Sequence, residues 1–212
     1  MPRPFQWLII LLVLASTSAA LAQVKVVREP ANVKTRRFDP QTPPRDMPAL
    51  KPGEAAACES KFACAVQVEA EITDAGDGKP TAKVVAVNAQ LKLAVIIWLP
   101  IDTTPKIRVH EDGHRAISET FYARGEKVAQ ALAKMFVGKP LEISDPDAKD
   151  TRPAIERIAN EFCQEYLGAI EVPSQKAQEA YDRITDHGRN NVGEKKAIEE
   201  ALREGEDDKV TR

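Results

Sequence analysis

From Phe62 the apolar positions alternate: Phe62, Cys64, Val66, Val68 and Ile72 face one way while Gln67, Glu69 and Glu71 face the other. A period of two predicts a strand with one wet face. Gly76 and Gly78 punctuate residues 74–79 and predict a turn, after which Val85, Val87, Ala89, Leu91 and Leu93 alternate with Asn88, Gln90 and Lys92. The two runs together predict a β-hairpin. Residues 95–99 are continuously apolar and include Trp98, which predicts a strand covered on both faces and ended by Pro100.

The period then changes. Thr103 and Thr104 offer caps, Pro105 suits a first helical turn, and Gly138 followed by Pro140 supplies a stop. One helix of about thirty residues is expected between them. Its apolar stripe runs through Ile107, Ile117, Phe121, Val128, Leu132 and Met135, and His110 and His114 occupy the same stripe where Leu or Ile would be expected. Further along, Ser174 after Pro173 predicts the start of another helix and Gly188 its end, which places His187 at a helix C-terminus.

The chain ends read differently. Pro30, Pro40, Pro43, Pro44, Pro48 and Pro52, interleaved with Lys34, Arg36 and Arg37, make residues 23–54 an expected extended linker, read as a solvated tether. Residues 195–212 are mostly charge and predict a frayed helix trailing into a disordered tail. Residues 1–22 have the form of an export signal: Arg3, an apolar core from Trp7 to Ala15, and Ala20-Leu21-Ala22 as a cleavage site before Gln23. An uncleaved anchor is the competing reading, although Gln6, Ser16, Thr17 and Ser18 dilute the ends of the apolar run. Nothing downstream resembles a second span, so a periplasmic or secreted domain over residues 55–194 is expected.

Composition narrows the function. With 30 Lys+Arg against 32 Asp+Glu the chain carries a formal charge of −2, which excludes a strongly basic nucleic-acid binder. The three cysteines, Cys58, Cys64 and Cys163, allow one disulfide, and the spacing favours Cys58 with Cys64; the competing reading is that all three are small buried residues. No CxxC pair is present to support thiol exchange.

The chemistry gathers at the histidines. There are only three, and two of them lie in His110-Glu111-Asp112-Gly113-His114, an HExxH pattern. Residues four apart on a helix lie one turn above each other, so both imidazoles can converge on one zinc ion, and Glu111 can then accept a proton from water. The competing reading is a pair of core histidines satisfied by hydrogen bonds. Gly113 in mid-helix costs about 1 kcal/mol relative to Ala, which suggests close approach by another element there. A catalytic zinc site usually takes a third protein ligand. His187 is the remaining histidine, with Asp182, Asp186 and Glu179 as carboxylate competitors; its alternative is a surface histidine favoured by the helix dipole. Tyr181 is a candidate donor to a developing oxyanion, or else a core tyrosine.

These segments resemble a family, the bacterial predicted secreted zinc-dependent proteases. The resemblance is carried by His110-Glu111-Asp112-Gly113-His114, by Ala123-Arg124 on the same helix, and by Tyr181-Asp182-Arg183-Ile184-Thr185-Asp186-His187-Gly188, similar to a YDxxTxHG signature. It covers residues 62–191, closely in the helical half and less so in the strands, which look shorter than the family's. It implies an α+β, zincin-like fold in which a small antiparallel sheet or hairpin precedes a long HExxH helix and further helices. It also implies His187 as a site residue. The expected function is a Zn2+ peptidase with His110, His114 and His187 on the metal, Glu111 as general base, and a peptide or protein substrate, peptidoglycan peptides included. By analogy with other HExxH enzymes, the strand at 95–99 could pair with an extended substrate. A non-catalytic zinc-containing envelope protein that binds a partner is the alternative.

Overall fold

The computed structural model of the chain describes residues 23–74, 80–145 and 149–207. The expected leader, the turn glycines Gly76 and Gly78, and the end of the expected tail lie outside the described residues. The elements run β1 (Gln23–Arg28), β2 (Asn32–Phe38), β3 (Ala57–Asp74), β4 (Pro80–Pro100), α1 (Pro105–Phe136), β5 (Pro140–Leu141), α2 (Arg152–Thr185) and α3 (Glu194–Glu206). No helix among the described residues is long and apolar enough to cross a membrane.

The five strands form one sheet in which β4 pairs with each of the others, in parallel with β1 and β2 and antiparallel with β5. This overturns the expected α+β, zincin-like arrangement of a small antiparallel hairpin followed by a long helix. Among the described residues the fold is α/β, with a parallel-dominated sheet and three helices.

The difference arises in residues 23–38, expected as linker. The prolines that predict a linker fall outside the strands: Pro30 separates β1 from β2, and Pro40 comes after β2 has ended. Partner numbers differ by 86 − 23 = 63 along β1 and by 94 − 32 = 62 along β2, so the pairing slips by one residue between them. Pro30 has no N–H to give a ladder, and it sits where the ladder is already interrupted. Both strands are largely exposed, and their Lys25, Lys34, Arg36 and Arg37 put charge along them, which discourages pairing with another chain. Residues 94–100 of β4 are paired with β2, so this edge of the strand is not available to an extended substrate, contrary to the analogy drawn from other HExxH enzymes.

The chain divides into two compact units. In the one built from Met1–Arg28, Cys64–Leu91 and Gly125–Leu167, the core holds Val84, Val87 and Leu91 with Phe136 and Phe162, whose rings meet edge to face at 5.7 Å. The buried positions at the end of α1 are Ala129, Ala133 and Phe136, whereas Met135 is 65% exposed. The expected stripe through Val128, Leu132 and Met135 is therefore off by one residue, as happens when a stripe is extrapolated over several turns of a 3.6-residue helix. Cys64 Sγ lies 2.9 Å from Cys163 Sγ, and all three cysteines are free thiols. The expected Cys58–Cys64 pairing fails on geometry. Both residues sit on the extended strand β3 six positions apart, about 20 Å at ~3.3 Å per residue, and a disulfide needs Cα atoms within about 7 Å.

The second unit comprises Glu29–Ala63, Lys92–Arg124 and Gly168–Arg212. Trp98, Leu99, Ile117, Ile170 and Tyr181 fill its core. Two expectations are corrected here. Ser174 does not begin a helix, since α2 runs through Pro173 and buries Ser174 in its interior. The helix expected in the charged tail is present as α3, but it is packed and not frayed, burying Ala197, Ala201 and Gly205 along one face. A Cβ at Gly205 would lie 2.5 Å from the Pro173 carbonyl oxygen, so the small-residue face is what lets the two helices approach. Ion pairs from Arg124 to Glu206 and from Arg183 to Glu204 flank that contact.

Candidate metal centre

All residues of the site belong to the second unit. The start of α1 is set as expected: Thr104 Oγ1 accepts the Ile107 N–H at 3.3 Å and Pro105 opens the first turn, which needs no donor there. His110, Glu111 and His114 follow on the buried face, 6%, 4% and 9% exposed.

The second motif, at the end of α2, closes over the first one residue by residue. The Tyr181 ring stacks on His110 with centroids 5.0 Å apart and meets His114 edge-on at 4.9 Å. Its hydroxyl lies over Gly113, where a Cβ would come within 2.1 Å of it, so the close approach anticipated at that glycine is by Tyr181. Thr185 Oγ1 donates to the Tyr181 carbonyl at 2.7 Å and lies 3.5 Å from His110 Nδ1. Asp186, His187 and Gly188 then adopt positive φ values of 49°, 52° and 76° in succession. This left-handed run, strained at its two non-glycine residues, turns the chain back so that Gly188 packs against the His110 ring. His187 thus sits in a left-handed turn after the helix and not in its last helical turn.

Gln178 sets the tautomer of His114. Its Nε2 donates to the His114 carbonyl at 2.9 Å and to Ser118 Oγ at 2.8 Å, so its Oε1 is the atom that faces His114 Nδ1 at 2.5 Å. A carboxamide oxygen only accepts, so His114 Nδ1 carries the hydrogen. In the neutral ring Nε2 then presents a lone pair, the arrangement of a metal-ligating histidine held by a second hydrogen bond. His110 is oriented the same way by Thr185, whose own proton is committed to Tyr181.

The two Nε2 atoms lie 3.2 Å apart, and Asp182 Oδ1 lies 2.9 Å from His114 Nε2 and 3.4 Å from His110 Nε2. Three acceptors cannot share so small a space without a positive charge among them. A proton supplies it in the metal-free protein. Burial pushes the His110 imidazole below its ordinary pKa. Burial acts on His114 too, but the hydrogen bond and charge of Asp182 outweigh it and raise the group. Asp182, although buried, is held well below the usual carboxylate range by the imidazoles of His110 and His114 beside it. A divalent cation of the zinc type fits the same place, since two imidazole nitrogens and a carboxylate oxygen are its ordinary ligands.

Glu111 is not part of that cluster. Burial raises its carboxyl to about 7, and its Oε2 is buried without a hydrogen-bond partner. It stands with His110 on the walls of two cavities. One, of about 360 Å3, also takes in His114, Asp182 and Cys58; the other, of about 320 Å3, takes in His187 and Lys106. Tyr181 lines neither and is fully buried, so its place is behind the histidines, steadying their rings, and not at a cavity wall as an oxyanion donor. His187 Nδ1 lies 3.5 Å from Asp182 Oδ1 and 3.7 Å from Glu54 Oε1, and it groups with those carboxylates and not with the HExxH pair. Of the carboxylate competitors, Asp182 reaches the histidines, Glu179 lines the larger cavity, and Asp186 pairs outward with Arg189 at 2.8 Å.

Gln178, Thr185 and Glu54 are the residues that sequence reasoning missed. A usable signal existed for the first two: Ser174, Gln178, Asp182 and Thr185 recur at intervals of four, four and three, a polar stripe on the face of α2 that is turned inward.

Gly113→Ala is expected to destabilise the protein by about 1–3 kcal/mol despite the better helix propensity of alanine, because the Tyr181 ring must leave its stack on His110. The measurement is a thermal melt, and a melting temperature at or above that of the wild type would contradict the packing described.

No protein-family model, curated protein or solved structure matches this chain.

Proposed function

We propose that this chain is a zinc-dependent peptidase acting in the periplasm or outside the cell. The observation that carries the reading is one geometry: two tautomer-fixed imidazoles and the Asp182 carboxylate converge at a cavity wall, beside a buried glutamate with an unpartnered oxygen. His110, His114 and Asp182 would hold the zinc. When bound, zinc supplies a Lewis acid that polarises the scissile carbonyl and acidifies water.

The chain's own residues do the rest. Glu111, with its carboxyl raised to about 7, can take a proton from the attacking water and return it to the leaving amine near neutral pH. Gln178 and Thr185 hold the ring tautomers, Tyr181 holds the ring planes, and Ala57 and Cys58 of β3 form the wall along which a peptide would lie. The alternative, a non-catalytic zinc protein that binds an envelope partner, gives Glu111 no task that would justify burying it.

The test is a digest of a peptide library, cross-linked peptidoglycan peptides included, by the chain beginning at Gln23. Cleavage that stops with chelator and returns with zinc is expected. No zinc-dependent product across the library would favour the binding protein.

A further inference from the structure

A second group of donors adjoins the first. Glu54, Asp182 and His187 place one ligand atom each within 4.8 Å of one another, just as His110, His114 and Asp182 do. Asp182 belongs to both sets. Its Oδ1 faces the imidazoles, while its Oδ2 lies 3.7 Å from the ammonium of Lys51.

We infer that Glu54, Asp182 and His187 hold a second divalent cation, with the Asp182 carboxylate shared between the two metals. The inference rests on the zinc reading of the first set. Four observations carry it. His187 Nδ1 is buried without a hydrogen-bond partner and faces the two carboxylates, the position of a nitrogen that lacks its ligand. Glu54 is held in place by its own turn: its Oε2 accepts the Lys51 N–H at 2.7 Å, and its N–H returns to the Lys51 carbonyl at 3.0 Å, which leaves Oε1 directed at His187. Gly53, with φ of 92°, shapes that turn.

The third is charge: two carboxylates, Glu54 and Asp182, meet at His187, and their two negative charges are what a divalent cation would balance. The fourth is that a cation already stands there: Lys51 Nζ lies 3.6 Å from Glu54 Oε1 and 3.7 Å from Asp182 Oδ2. Its side chain is 64% exposed, so it can withdraw into solvent when a metal arrives. Two carboxylates and one imidazole suit zinc, manganese or cobalt.

The experiment is metal counting on the full chain, stripped with chelator, dialysed against zinc alone and analysed for zinc per chain. The wild type should saturate at about two equivalents. Glu54→Gln and His187→Ala should each keep about one, with melting curves in chelator close to the wild type for Glu54→Gln. Lys51→Met should tighten the second equivalent several-fold by removing the competing ammonium, which a purely structural turn would not do. A wild type that stops at one equivalent overturns the proposal. If His187→Ala then abolishes that single equivalent, the three histidines form one site and the peptidase reading survives. If the wild type holds none, the zinc reading itself has failed.

Discussion

Glu111→Gln should retain zinc and fold while losing roughly two to four orders of magnitude in peptide hydrolysis, because a carboxamide cannot accept the proton that general-base catalysis moves. The same variant should be more stable than the wild type in chelator at neutral pH. A carboxyl raised to about 7 by burial, from an ordinary 4.5, favours its protonated form in the folded state. As pH rises through the window from 4.5 to about 7, the folded protein must ionise a group that the unfolded chain ionises easily, and stability falls. A shift of that size corresponds to about 3 kcal/mol above pH 7 and to nothing below pH 4. Gln imitates the protonated carboxyl at every pH. The gain in melting temperature over wild type should therefore be absent at pH 4 and largest above pH 7. Equal cleavage by the two proteins would exclude Glu111 as the base, and a pH-independent gain would exclude its burial as the cause of the shift.

His110→Ala and His114→Ala should each cost at least one zinc equivalent per chain, since each removes one of three donors from the first set. The effect extends to the metal-free protein. Asp182 is a buried carboxylate whose shortest contact is His114 Nε2 at 2.9 Å, and removing that partner leaves a charge in the interior with weaker support. Breaking such a pair costs about 3–5 kcal/mol. His114→Ala should thus melt well below the wild type in chelator, and below His110→Ala, whose ring stands 3.4 Å from the same oxygen. Zinc content unchanged in both variants would remove the site.

Local chemistry was legible in the sequence where it repeats with a helical period. The helical spacing of His110 and His114, the cap at Thr104 and the stop near Gly138 are written within a few residues, and helix α1 bears out that helical reading from Pro105 to Phe136. The tight contact at Gly113 was also readable, because a glycine in mid-helix carries a cost that something must offset. Long-range pairing was not readable. Val24, Val26 and Val33 alternate with Lys25 and Lys34 as strand residues do, but six nearby prolines masked that short signal, and no local pattern says that the partner strand lies some sixty residues on. Glu54 was hidden for the same reason, inside a segment read as a tether. At His187 the sequence shows an imidazole before a glycine but not the left-handed run that aims it, which only two strained residues in a row could reveal.

The register of β1 and β2 bears on how the chain folds. Along both strands the residues in register with β4 lie 62 or 63 positions on, so neither strand can pair until almost half the chain has been made. Helices α1 and α2 need only their own turns and can form in about a microsecond, whereas closing contacts of such separation belongs to the millisecond-to-second range of folding. Synthesis runs from the N-terminus, so both strands are made well before the partner they need. The cationic side chains that line them, Lys25, Lys34, Arg36 and Arg37, keep the waiting segment hydrated and discourage it from pairing with other copies.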